Sequence, residues 1–434
     1  MSNQLLLRRR ASYISDKRPN YLKFTALEDG CTLALNKVGS PTNYPTEYSL
    51  NKGDFIPYVF GTTINFDEGD TIEWRRSEGY ESNSFSYNNN HYYAFASTGS
   101  ISQDGLITTL LSKDLGNITS IEDWAFFKSL SLANNPSLVG TLNIPDGIVR
   151  IGGNVFNNCN VFNSINIGAD VEHYTRGALM NIGNIDSLTI NNAMFTADFG
   201  AYYPFNYTYP KDVYYNGTML QFLQLPDGVY LNGDSNGGVK YNLHLTDRDD
   251  SNMNILPYGI TKIRECAFLG VKNITGTVYF PDGIETIGSS AFVKTSINGI
   301  FNFPSSLVSI GNRAFDSIYI SELNLPDGFK SIGNQAFYNQ GCANTVFTFP
   351  STLESIGNAA FYGKYGGKYS IFLSSTPPTI VNNLSVPGIV ASKKVYVPYS
   401  ADHSILNAYK TANIWSTFEN LIFELDENNN IPID

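Results

Sequence analysis

Between Val278 and Phe361, apolar and polar positions recur in one order four times. Each unit opens with an apolar-x-apolar triplet: Val278-Tyr279-Phe280, Phe301-Asn302-Phe303, Leu323-Asn324-Leu325 and Phe347-Thr348-Phe349. A proline follows (281, 304, 326, 350), an isoleucine comes six residues later (287, 310, 332, 356), and a phenylalanine five beyond that (292, 315, 337, 361). The phenylalanines advance by 23, 22 and 24 residues, and a fixed period of this size predicts a solenoid with one coil per unit. The triplet predicts a short strand with alternate side chains turned inward. Proline ends it, having no N–H for a ladder, and Pro-Asp-Gly or Pro-Ser-Ser makes the turn. The isoleucine points back inside, Gly relaxes the next bend, and Ala-Phe closes the coil with a ring in the interior. One coil cannot bury its own apolar face, so neighbours must stack on it.

The same frame extends toward the N-terminus. Ile118-Thr-Ser-Ile121-Glu-Asp-Trp-Ala-Phe126 matches the second half of a coil without its proline, as a degenerate capping unit does. Leu142 to Phe156 is a full coil, and Ile165 to Leu179 is another with Gly168 for Pro, Tyr174 for Ile and Leu179 for Phe. His173 falls at a turn position facing solvent. Leu188-Thr-Ile190 keeps phase, but about 191–254 reads as an irregular insertion, and Pro257 to Phe268 restores the register. The solenoid is placed at 113–375 and a capping segment at 376–434, with helical spacing in Ile405, Leu406, Tyr409, Ile414 and Trp415 and a return strand at Leu421 to Leu425.

These repeats resemble the BspA-type leucine-rich repeats of bacterial surface proteins, on the strand, Pro, Ile-Gly and Ala-Phe at fixed offsets. The closing Val397-Pro398, Tyr409-Lys410 and Trp415 resemble the segment common after such repeats. The resemblance implies a leucine-rich-repeat solenoid used for adhesion and partner binding, not catalysis.

Before the repeats, residues 21–112 alternate in short runs (Tyr21 to Ala26, Cys31 to Leu35, Glu47 to Leu50, Thr62 to Phe66, Thr71 to Arg75) separated by Gly, Asn and Pro. They predict a β-sandwich-like module and resemble one placed before such repeats in gut bacterial and phage surface proteins. The fold class expected is therefore mostly β: this module, the solenoid, and a C-terminal α/β cap.

Charge separates the first twenty residues from the rest. The chain carries −11, yet residues 1–20 hold five cations against Asp16, a net +4 that leaves −15 elsewhere. Leu5, Leu6 and Leu7 beside Arg8, Arg9 and Arg10 form an apolar knob on a basic stalk. This stretch is either an unstructured end or a docking arm. Its form resembles short N-terminal segments on virion proteins of gut phages, crAss-like phages included. It lacks the form of a signal peptide, which a surface adhesin of a bacterium would need. No stretch is apolar enough to insert into a membrane, and the acidic body argues against nucleic acid.

Candidate binding residues are aromatic. Tyr and Phe number 28 each, while charged residues are only 15%. The insertion holds Tyr202, Tyr203, Phe205, Tyr207, Tyr209, Tyr214 and Tyr215, and the 84–93 loop holds Tyr87, Tyr92 and Tyr93. Such rings either stack on sugars and anchor partners, or pack on the flank of the fold. No nucleophile elbow, metalloprotease helix, phosphate loop or dinucleotide fingerprint occurs. The four histidines lie far apart, and Cys31, Cys159, Cys266 and Cys342 lack metal-ligand spacing and read as free thiols. No metal or cofactor is expected. The Asp67–Asp70 and Asp247–Asp250 runs read as solvated turns, with cation binding the other option. The reading is thus a phage virion fibre or decoration component. It docks on a virion structural protein and presents the solenoid to a host surface glycan or protein, with self-association as a further option. A secreted or cell-surface bacterial adhesin is the alternative, and a glycan-active enzyme the minor one.

Overall fold

The computed structural model describes residues 22–26, 29–38, 47–59, 61–75, 92–98, 101–104, 120–121, 138–144, 146–160, 162–197, 204–227, 229, 231, 240–338, 346–363, 368–387 and 393–432. The chain divides into two compact units, Met1–Ile182 and Gly183–Asp434.

In the first unit, Leu22–Ala26 lies antiparallel between Thr71–Arg75 and Ile101–Asp104. Glu47–Leu50 adds to Thr71–Arg75, and Ile56–Pro57 to Glu47–Leu50. A second antiparallel sheet sets Cys31–Val38 between Ile64–Phe66 and Tyr92–Thr98. Cys31, Leu33 and Ile72 are fully buried, the alternation expected of a sandwich-like module. Ile101–Asp104 also pairs in parallel with Leu138–Ile144, and that strand with Phe162–Ile167. One strand therefore joins antiparallel and coiled structure. A second, short ladder runs Ser120–Ile121, Arg150–Ile151, His173–Tyr174, so the described pair of the unit lacking proline joins it. Tyr174 fills the Ile column at 0% exposure, while His173, expected on a turn, is half-buried in the ladder.

In the second unit the coil predicted from the letters is present. Lys262–Ile263, Thr286–Ile287, Ser309–Ile310, Ser331–Ile332, Ser355–Ile356 and Thr379–Ile380 form a parallel ladder in strict register. Longer strands form a second one: Thr275–Gly276, Ser296–Asn302, Tyr319–Asn324, Val346–Phe349, Tyr369–Phe372, Val395–Val397 and Ile422–Glu424. Between them Phe268, Phe292, Phe315, Phe337 and Phe361 stack with centroids 5.0 to 5.4 Å apart. Each phenylalanine N–H donates to the alanine carbonyl of the next coil, from Phe268 to Ala291 (2.7 Å) through Phe337 to Ala360 (2.8 Å). The ring column and the hydrogen-bond column thus enforce one spacing. Glycine after each isoleucine is a matter of contact: a Cβ at Gly333 would lie 2.5 Å from the Asn312 nitrogen of the preceding coil.

Coil 257–268 departs from this rule, with Arg264 standing in the glycine slot. The preceding stretch supplies the helix Met219–Leu223 where a coil would otherwise pack. The Arg264 side chain, 2% exposed, fills that space. Its Nε donates to the Phe222 carbonyl (3.1 Å), its Nη1 to Val229 (2.5 Å), and its guanidinium lies 4.7 Å from the Phe222 ring centre. Burial brings its pKa down to about 10.

The 191–254 stretch is less irregular than its letters. Thr208–Tyr215 pairs in parallel with Gly183–Ile190, and Asn242–His244 with Thr208–Tyr215, so two ladder strands come from inside it. At the other end the single helical pattern resolves into Ser404–Thr411 and a 3-10 turn Trp415–Leu421, broken at Ile414 (φ 64°). Tyr409 and Trp415 tie this cap to the last coil, donating to the carbonyls of Ser374 (3.1 Å) and Pro378 (2.9 Å). Ile422–Glu424 returns as the expected strand.

Candidate functional site

Alternation in Thr208–Tyr215 decides which aromatics of the insertion can meet a partner. Val213 and Tyr215 turn inward at 0% and 1% exposure, so Tyr214 between them turns outward at 46%. Register places Tyr214 beside His244 on the next strand, and the rings stack with centroids 4.5 Å apart and planes 13° from parallel. One row along, Asp212 faces Asn242 and accepts its amide Nδ2 at 2.7 Å. The same carboxylate oxygen meets His244 Nε2 at 3.0 Å. The hydrogen bonds from His244 and Asn242 hold the Asp212 carboxyl below the usual carboxylate range, so it stays charged. The result is an aromatic platform on the outer face of the ladder, edged by a carboxylate and an amide. Such a set accepts the flat apolar face of a sugar or a planar side chain while bonding its hydroxyls or amides.

The other sequence candidates separate sharply. Phe205 and Tyr215, 1% exposed each, are corrected from binding to core residues; the Tyr215 hydroxyl donates to the Ala193 carbonyl and its ring meets Phe222 edge-on at 5.5 Å. Tyr207 is 51% exposed in a turn with φ +57°, and Tyr209 is half-buried. Tyr92 and Tyr93 pair with Val38 and Lys37 on an antiparallel strand, and their side chains lie outside the description. Tyr87, Tyr202, Tyr203, Leu5, Leu6, Leu7, Arg8, Arg9 and Arg10 lie outside the described residues. Sequence reasoning missed His244, although Asn242-Leu243-His244 alternates polar-apolar-polar in the frame of Asp212-Val213-Tyr214.

The acidic runs are structural acceptors. Asp247 receives the Met219 N–H at the start of the helix (2.8 Å), and Asp250 the Asn273 amide (2.8 Å). Asp67 and Asp70 receive backbone N–H groups of Gly30 and Asp67 (both 3.0 Å). Among the described residues no group of three or more His, Cys, Asp or Glu is placed to hold a metal ion. Cys31, Cys159 and Cys266 are buried and unbridged, and burial pushes the Cys266 thiol up to about 12. Cys342 lies outside the described residues.

A shallow groove of about 630 Å³ runs along the short-strand ladder, lined by Ser309, Ser331, Ser355, Asn312 and Asn334 among others. It coincides with the seam where coils approach at Gly311, Gly333 and Gly357. There Asn312 Oδ1 takes the Asn334 N–H (2.8 Å) and Asn334 Oδ1 the Asn358 N–H (2.7 Å). These amides serve stacking, which leaves the aromatic outer face the better candidate.

No helix among the described residues is long and apolar enough to cross a membrane. No curated protein matches the chain. A leucine-rich repeat protein from Bacteroides ovatus is similar in structure at 16% identity, over 74% of this chain and 70% of that one, with a TM-score of 0.39. A leucine rich cell surface protein from Faecalibacterium prausnitzii is similar at 18% identity, over 71% of this chain and 82% of that one, with a TM-score of 0.35. The model of the BspA type leucine rich repeat region matches residues 134–218 and 250–367 in six copies, and the span between them holds the helix Met219–Leu223 that Arg264 grips. Over those matched residues, the repeats of this chain are similar to BspA-type leucine-rich repeats.

Proposed function

We propose that this chain is a non-enzymatic attachment protein that works at a surface, taking a glycan or protein of a host surface on the outer face of its second unit. The observation that carries the reading is the exposed Tyr214 ring lying on His244, with Asp212 and Asn242 fixed beside it. A repeat fold holds such a platform rigidly, which lowers the ordering cost of binding. In this reading residues 1–20 dock the chain onto a virion structural protein. The net +4 of that segment against −15 elsewhere supports this, as does its resemblance to N-terminal segments of gut phage virion proteins. The match to BspA-type repeats, together with the resemblance of their letters to repeats of bacterial surface proteins, supports a second reading as a cell-surface or secreted adhesin.

The two are separated by deleting residues 1–20. A virion component loses incorporation into particles while the folded body stays monodisperse and still binds host cells. Equal incorporation of the truncated chain rejects the docking arm. Absence of binding by the intact protein to host cells and to their isolated surface glycans and proteins rejects attachment itself.

A further inference from the structure

The Tyr214 ring has two faces, and His244 covers one of them. The rings are 13° from parallel at 4.5 Å, close to the ~4.8 Å between neighbouring strands, so both stand upright on the sheet and meet across the strand gap. The second face of Tyr214 therefore turns toward Gly183–Ile190. Register puts Thr189 beside Tyr214 and Ser187 beside Asp212, both short side chains that leave this face open. Among the described residues no other ring or cation lies against it.

The charges around that face do not balance. Asp212 stands two residues along the same strand, on the edge side of the ring. Its Oδ1 takes both of its bonds, from Asn242 and His244, and its Oδ2 takes none among the described residues. Lys211 is bonded to Asp186 at 2.5 Å. Lys272 follows Val271, which bridges Tyr241, so it lies across Asn242 from Asp212, away from the open face. Asp212 is thus a carboxylate with an open oxygen and, among the described residues, no lysine or arginine bonded to it, on a chain of net −11.

We propose that this second face takes an arginine side chain of a protein partner, its guanidinium flat on Tyr214 and one in-plane N–H directed to Asp212 Oδ2. The proposal rests on the reading of Tyr214 as the attachment site and names what attaches there. A guanidinium is planar, stacks on an aromatic face and donates in its own plane, which here runs along the strand toward Asp212. An ammonium has no plane to lay on the ring. A neutral sugar covers the same face and bonds the same oxygen, but it displaces water from the carboxylate without bringing the opposite charge. The acidic chain adds a general attraction for a basic partner.

The test is a titration of the full chain followed by proton NMR. The chain has four histidines, and the ring signal that disappears in His244→Gln reports on the site from its covered side. Nα-acetylargininamide should move that signal saturably. Nα-acetylcitrullinamide, the same shape without the charge, Nα-acetyllysinamide, and the methyl glycosides of glucose, galactose and N-acetylglucosamine should each bind at least tenfold more weakly. Asp212→Asn and Tyr214→Ser, measured below their onset of melting, should each weaken the arginine probe tenfold or more. Asp282→Asn, which removes the same charge from an exposed turn, should leave it unchanged. Host cells whose surface arginines are capped with phenylglyoxal should bind the chain at least tenfold more weakly. An unmoved His244 signal, equal binding of the citrulline probe, indifference to Asp212→Asn, or undiminished binding to capped cells overturns the proposal. Equal or tighter binding of a methyl glycoside overturns it in favour of a glycan. In each of these cases the attachment reading stands if Tyr214→Ser with His244→Ser still loses host-cell binding, and falls with the proposal if that binding is unchanged.

Discussion

Arg264→Ala tests the account of how the repeat resumes after the 191–254 stretch. The substitution leaves the Phe222 and Val229 carbonyls, each now bonded to the guanidinium, without that donor in a buried setting. Leaving a buried group unsatisfied costs about 1–3 kcal/mol, and loss of the guanidinium over Phe222 adds about 0.5–2 kcal/mol. Against this, the arginine carries its own burden: it is 2% exposed, and its Nη2 has no hydrogen-bond partner. Removing that buried cation returns part of the cost. The expected net loss is about 2–4 kcal/mol. Urea denaturation gives the total, and hydrogen exchange shows where it falls: protection should drop over 219–231 and 262–268 and hold in the coils beyond Ile310. Arg264→Met keeps the bulk without the donors and should lose nearly as much. A loss under about 0.5 kcal/mol for Arg264→Ala, or one spread evenly over the unit, would refute the claim that this arginine replaces a missing coil.

Other consequences follow from the same geometry. Phe315 is 0% exposed between Phe292 and Phe337 at 5.2 and 5.4 Å, so Phe315→Ala should cost about 3–5 kcal/mol by denaturation, and a loss under 1 would place the ring outside the core. Gly333→Ala forces a Cβ against the Asn312 nitrogen and should destabilise by about 1–3 kcal/mol, whereas a neutral result in a melting experiment would mean the coils can part there. Asp212 is held below the usual carboxylate range, so its bonds favour the folded state above the ordinary carboxylate pKa and fade as pH falls through the lowered value. Asp212→Asn should therefore melt below the parent at neutral pH and alongside it in strong acid, and a gap that widens with acid would contradict the assignment.

The coil was legible because Pro, Ile and Phe each occupy one structural position at fixed offsets, and the structure buries Ile287, Ile310, Ile332 and Ile356 as one column. The site was legible by composition but not by residue. Phe205, Tyr214 and Tyr215 are the same kind of letter, and only the two-residue alternation of a paired strand sends Tyr214 outward and Tyr215 inward. That alternation is hidden in a run of tyrosines, and its partner strand lies about thirty residues on, as the pairing of Val213 with Leu243 shows. Arg264 was in plain view as the residue after Ile263. Its meaning depended on the backbone clash that makes glycine necessary in the other coils, which letters do not carry.

The central claim, that the outer face at Tyr214 and His244 takes the host-surface ligand, is tested most directly by one affinity measurement. Tyr214→Ser with His244→Ser is compared with the parent for binding to host cells and to their isolated surface glycans and proteins. Both side chains are partly exposed, and losing the His244 bond to Asp212 should lower melting only as far as Asp212→Asn does, so affinity is compared below the onset of melting of both proteins. The account predicts a tenfold or greater loss of affinity, about 1.4 kcal/mol. Unchanged affinity in the folded variant would contradict it.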